Sequence, residues 1–182
     1  AGDVLVKHKY KEAIPDLLKI IKKREWTTLM TAPALAAMKV KEAYEPIMVL
    51  IEDPEVGNRE YFIETLAQLE DRRAIPFFIK LLPRNIRGLD PAYGTYRSWS
   101  WKENEFAVEG LGRLRAAEAV EPLMRLLTLE GSGYQEMRTR VVWALGEIGP
   151  PAKKALPRIR ELMHAEQVSM DTATEAQKKI EG

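Results

Sequence analysis

Apolar positions return along this chain in one recurring phrase. An Ala is followed by apolar residues four, seven and eight places later, with a Pro wedged just after the Ala. It reads EAIPDLLKII at Ala13, EAYEPIMVLI at Ala43, RAIPFFIKLL at Ala74, EAVEPLMRLL at Ala119 and KALPRIRELM at Ala155. Offsets of four, seven and eight place those side chains on one face of an α-helix. The prolines, Pro15, Pro46, Pro76, Pro122 and Pro157, fall two or three places after each Ala. A Pro in the first helical turn forfeits no intrahelical hydrogen bond, whereas in mid-helix it breaks one. Each of the five is therefore expected to mark a helix start.

A second amphipathic stretch precedes four of these phrases. In it Leu35, Leu66, Leu111 and Leu145 stand three places before Met38, Leu69, Leu114 and Ile148. A small residue follows each Leu directly: Ala36, Ala67, Gly112 and Gly146. Glycine within a helix costs about 1 kcal/mol relative to Ala, so a packing reason is expected, namely close approach of the paired helix. Each repeat then reads as a hairpin of an outer and an inner helix. Self-similarity at this period is the mark of a solenoid, in which each unit packs on its neighbours.

The expected organisation is one all-α repeat domain over 1–182, with units at 1–25, 26–54, 55–87, 101–130 and 133–164. A polar helix at 168–182 is expected to cap the open end. The N-terminal GDVLVKHKYK is too short for a full outer helix, so the first unit is expected to be incomplete. The chain opens on Ala1 rather than Met, and an upstream segment of a longer chain is expected.

The grammar resembles the HEAT repeat, and most closely the short variety named after phycobilisome lyases. The resemblance is best in VVWALGEIGPPAKKALPRIREL, Val141 to Leu162, and extends in weaker form over nearly the whole chain. It implies a right-handed α-α superhelix of antiparallel helix pairs. It is nearly silent on function, because the family hosts scaffolds, adaptors and a few enzymes.

Composition removes several chemistries. With no Cys, the chain holds no disulfide, no thiolate nucleophile and no Cys-ligated metal. The two His residues, His8 and His164, lie at opposite ends, away from the His-Glu pairs by which HEAT-like hydroxylases hold iron. No nucleophile elbow or phosphate-cradling loop is present. Neither a cofactor nor a metal is expected, and catalysis is not. Net charge is +1, from 28 basic and 27 acidic side chains, and no apolar run approaches a membrane span. Basic residues favour some inner helices (Lys19, Lys22, Lys23, Arg24; Lys80, Arg84, Arg87; Lys153, Lys154, Arg158, Arg160). Glu45, Glu52 and Asp53 interrupt the stripe, and phosphate binding wants a contiguous one. Nucleic acid is accordingly the second alternative partner, not the first.

One segment breaks the rhythm. The third and fourth phrases stand 45 residues apart instead of 30 to 36, and the surplus is an insertion over 83–104. It carries Tyr93, Tyr96, Arg97, Trp99 and Trp101, with Arg84 and Arg87 at its start. Tyr, Trp and Arg are the residue types enriched in interface hot spots, and such insertions are often binding loops. The same aromatics also fit a second reading, as filler between two units. Ser100 to Glu103 form a capping box that places the next helix start at Trp101 and Trp101 in the core. Trp143 is likewise expected in the core.

The leading functional reading is a non-catalytic protein-binding scaffold or adaptor, monomeric, using the concave solenoid face and the aromatic loop. The alternative is a lyase-type or accessory enzyme acting on a chromophore-bearing protein. A cytoplasmic site is favoured over export with a removed signal.

Overall fold

The computed structural model describes residues 2–23, 28–82 and 99–182. All regular structure in them is helical, in ten α-helices joined by short 3-10 turns. The chain forms two compact units, Ala1–Asp71 and Arg72–Gly182. The boundary falls in the chain just ahead of the third Ala phrase.

The first unit holds α1 (Gly2–Lys23), α2 (Thr28–Ala37), α3 (Tyr44–Glu52) and α4 (Arg59–Leu69). Helix α2 packs on α1 and α4, and α3 packs on α4. The second unit holds α5 (Ile75–Leu81), α6 (Trp99–Arg113), α7 (Val120–Leu126), α8 (Gln135–Ile148), α9 (Leu156–His164) and α10 (Met170–Glu181). Here α6, α8 and α10 lie side by side, with α8 in the middle.

The recurring phrase is the inner helix of each hairpin, and its periodic positions are the core. Ala43, Ile47, Leu50 and Ile51 are buried in α3, and Ala119, Leu123, Leu126 and Leu127 in and around α7. Ala74 and Phe78, and Ala155, Ile159 and Leu162, repeat the pattern. The outer helices bury Leu35, Leu66, Leu111 and Leu145 in the same register. A fully buried aliphatic side chain contributes about 1.5–3 kcal/mol, so the repeated positions carry the stability of each hairpin.

Four of the five prolines stand in first turns: Pro46, Pro76, Pro122 and Pro157 lie two or three residues into α3, α5, α7 and α9. Pro15 departs from the expectation. Helix α1 runs unbroken for 22 residues with Pro15 inside it, so GDVLVKHKYK belongs to the same helix as the first phrase. A single missing N–H costs the helix one bond, which the flanking turns tolerate.

Four of the five phrase alanines end a 3-10 turn, at Lys41–Ala43, Arg72–Ala74, Ala117–Ala119 and Pro150–Ala155. Just before the first three, the outer helix stops at a left-handed residue: Lys39 (φ 57°), Glu70 (φ 53°) and Arg115 (φ 49°). At two of these stops the hydrogen-bond pair is complete. Val40 and Lys39 N–H groups donate to the Leu35 and Ala36 carbonyls, and Ala116 and Arg115 to Leu111 and Gly112. This is the Schellman stop, here built without glycine and satisfying carbonyls that the helix end would orphan.

Long basic side chains tie successive hairpins through the same helix ends. Lys41 Nζ donates to the Leu69 carbonyl (3.1 Å) and the Glu70 carbonyl (2.6 Å) at the end of α4. At the equivalent position in the second unit, Arg72 donates to the Leu114 carbonyl (2.9 Å) at the end of α6. A cation at a helix C-terminus also meets the negative end of the helix dipole. Arg138 of α8 makes the largest such tie. It is 1 % exposed and donates to the carbonyls of Leu129 (2.7 Å), Gly131 (3.1 Å) and Gln167 (3.1 Å). It thereby fixes the loop before α8 to the loop before α10.

Candidate functional site: a tryptophan between two grooves

Two glycines let α6, α8 and α10 approach closely. A Cβ on Gly112 would stand 2.8 Å from the Trp143 ring and 2.9 Å from Ala144 Cα. On Gly146 it would stand 2.7 Å from Ala176 Cα. The small residues thus serve the neighbouring outer helix, not the paired inner helix that the sequence pattern suggested. Stacking in the outer layer, one helix per repeat, is what demands them.

Trp143 is not a core residue, contrary to expectation. The buried face of α8 is Met137, Arg138, Val141, Val142, Ala144, Leu145, Gly146 and Ile148. Trp143 faces away from it and remains half-buried, with its ring laid toward Gly112. It separates two grooves. One, about 280 Å³, runs toward α6 and is lined by Glu109, Thr139, Arg140, Trp143 and Thr172. The other, about 240 Å³, runs toward α10 along Glu147, Thr172, Glu175 and Lys179.

Ion pairs frame both grooves. Arg140 Nη2 lies 2.9 Å from Glu136 and 3.6 Å from Glu105, so one helix-α8 cation bridges to α6. Lys179 Nζ lies 2.8 Å from Glu147 and 3.7 Å from Glu175, bridging α10 to α8. Arg113 closes on Glu109 at 2.7 Å. Burial raises the Glu105 carboxyl above its ordinary range, and the Arg140 charge only partly offsets this. For Arg140, burial works against the charge, and the hydrogen bond to Glu136 with the surrounding carboxylates outweighs it and raises the guanidinium. The hydrogen bond to Glu147 likewise raises Lys179. The buried Nε of Arg140 has no hydrogen-bond partner among the described residues. Orphan buried donors cost about 1–3 kcal/mol and are uncommon in native structures.

A third groove, about 240 Å³, lies on the inner-helix side of the first unit. Ile21, Pro46, Val49 and Leu50 line it, with Lys22 and Glu45 at its edge, and Val49 is 44 % exposed.

The basic inner helices are largely engaged within the chain. Lys19 pairs with Asp16 at 2.9 Å, Lys154 with Glu121, and Arg160 with Glu181 at 2.8 Å. Arg158 donates to the Leu127 carbonyl at 3.2 Å and pairs with Glu161 at 2.9 Å. Of the residues singled out in the insertion, Arg84, Arg87, Tyr93, Tyr96 and Arg97 lie outside the described residues. Trp99 is the first residue of α6, two places ahead of the start expected from the Ser100 capping box. The helical backbone extends through Ser100, which therefore lies inside the helix and not at its boundary.

Among the described residues no three His, Asp or Glu side chains converge as a metal site would, and no helix is long and apolar enough to cross a membrane. No curated protein matches the chain. A family model described as HEAT repeats matches residues 95–177, from the approach to α6 into the last turns of α10. That stretch, which contains Trp143 and every residue lining its two grooves except Lys179, is similar to HEAT repeats and supports reading the chain as a HEAT repeat protein.

Proposed function

We propose that this protein is a non-catalytic scaffold that binds another protein, with Trp143 as an anchor of one binding surface. HEAT repeats commonly serve as interaction scaffolds and are generally not catalytic. In this reading the hairpins stack into a right-handed superhelix of the short phycobilisome-lyase-type repeat, and the inner-helix face and the aromatic insertion offer further contact area. The observation that carries it is the half-buried Trp143 set between two grooves on three successive outer helices, α6, α8 and α10. A large aromatic in that position gains most when a partner covers it, and Trp and Arg are among the residue types enriched in interface hot spots.

The test compares the wild-type chain with Trp143→Ala in capture of proteins from the source organism, alongside thermal melting. Truncating an interface anchor costs about 2 kcal/mol or more of binding. The expected result is loss of specific captured proteins with a modest shift in melting temperature. Retention of the same set by Trp143→Ala would remove Trp143 from the binding surface.

A further inference from the structure

The two helix layers of the second unit differ in charge. In the inner segments Arg72–Leu81, Ala117–Leu126 and Pro150–His164, Lys and Arg outnumber Glu by eight to three. In the outer helices α6, α8 and α10 acids outnumber bases by eight to six. The inner segments are neighbours: Arg72 lies 3.6 Å from Glu118, Lys154 pairs with Glu121, and Arg158 reaches the Leu127 carbonyl.

How those cations are held decides what they offer. Arg72 and Arg158 spend guanidinium donors on main-chain carbonyls, which fix the side chain, and each also lies against a carboxylate, Glu118 at 3.6 Å and Glu161 at 2.9 Å. Lys80 and Arg125 are exposed and have no carboxylate partner among the described residues. These two occupy the same register, each six residues after its phrase Ala. Half-exposed Phe77 and Pro122 sit three places after that Ala on the same helices, so apolar area lies beside the charges.

We propose that the inner-helix face of α5, α7 and α9 binds an acidic protein segment in extended conformation. Lys80 and Arg125 stand on neighbouring segments, which the 3.6 Å approach of Arg72 to Glu118 brings together. In the polyproline II form of extended chain three residues make one turn and advance about 9 Å, so Asp or Glu at every third position share one face and would meet Lys80 and Arg125 in turn. The three glutamates on the same segments, Glu118, Glu121 and Glu161, decide against a nucleic acid. They would face a continuous phosphodiester with like charge, whereas a peptide can place neutral residues opposite them. This surface lies on the other layer from Trp143. The inference adds a partner class to the scaffold reading, and either one can fail alone.

The test is fluorescence anisotropy with three labelled probes: a short peptide with Glu at every third position, its Gln counterpart, and a single-stranded oligonucleotide of similar charge. The wild-type chain is expected to bind the Glu peptide, not the Gln peptide, with affinity falling as salt rises. Lys80→Glu with Arg125→Glu should weaken binding about tenfold or more, and the milder Lys80→Gln with Arg125→Gln should weaken it less while keeping the fold. Lys102→Glu with Lys178→Glu makes the same charge change on the outer helices and should leave binding intact. Equal loss in that control, tighter binding of the oligonucleotide than of the peptide, or no binding of the Glu peptide by the wild-type chain would each overturn the proposal.

Discussion

The indole of Trp143 lies against Gly112 of the preceding outer helix, close enough that a Cβ on Gly112 would stand 2.8 Å from ring atom Cζ3. The same Cβ would meet the Ala144 backbone at 2.9 Å, and backbone yields less readily than a ring. Gly112→Ala gains helix propensity worth about 1 kcal/mol but forces α6 and α8 apart, and overpacking of this kind costs about 1–3 kcal/mol. The expected outcome is net destabilisation in urea, with Trp143 moved to a more exposed environment by fluorescence. A stabilised variant with unchanged emission would mean that the contact relaxes freely and that Gly112 does not set the groove.

Among the basic side chains that tie hairpins through carbonyls, Arg138 should be the costliest to replace. Arg138→Met keeps much of the volume and leaves the carbonyls of Leu129, Gly131 and Gln167 without their donor. Hydrogen bonds to a charged group are worth about 1.5–3 kcal/mol each before compensation by water, so a loss of about 3 kcal/mol is expected. Arg158→Met, at a half-exposed site with one carbonyl and one ion pair, should cost no more than about 1.5 kcal/mol. Equilibrium unfolding of both variants checks the order, and a reversed order would sink the assignment of Arg138 as the main tie between loops.

Helix α1 carries Pro15 where no proline is needed. Pro15 is exposed and stands fourteenth in the helix, so Pro15→Ala restores an N–H without disturbing packing. A gain of about 1–3 kcal/mol in the first unit, with more helical signal by circular dichroism, is expected. No change in either would show that the helix is interrupted at this point in solution.

Glu105 contributes a component of stability that falls as pH climbs through the acid range. Its folded-state pKa is raised above the unfolded value by burial, so the native chain holds that proton more tightly. Where the native state binds more protons than the unfolded one, stability decreases with rising pH, from the ordinary carboxylate range up through the raised value. Glu105→Gln removes this component, along with the 3.6 Å pairing to Arg140. Between about pH 4 and about pH 7 the melting temperature of Glu105→Gln should therefore rise relative to that of the wild-type chain. Parallel curves would place Glu105 in a better solvated setting than the structure gives it.

Much of the architecture is legible in one dimension because its cause is one-dimensional. The Ala phrase buries positions four, seven and eight because a helix turns about every 3.6 residues, and so Ile47, Leu50 and Ile51, or Leu123, Leu126 and Leu127, are core wherever the phrase occurs. First-turn prolines mark helix starts for an equally local reason, and Pro15 escapes the rule only because α1 extends upstream through GDVLVKHKYK.

What tertiary structure alone decided is which helices became neighbours. The sequence pattern announced that Gly112 and Gly146 needed a close contact, but the identity of that contact depended on stacking between successive outer helices, where Trp143 and Ala176 fill the space. Trp143, flanked by Val142 and Ala144, carries every local sign of a core residue, yet helical rotation turns it to the surface between α6 and α10. Arg138, unremarkable in sequence, is buried because carbonyls from two distant loops converge on it. Periodicity is a property of one helix, while burial of a given side chain is a property of the pair that meets around it.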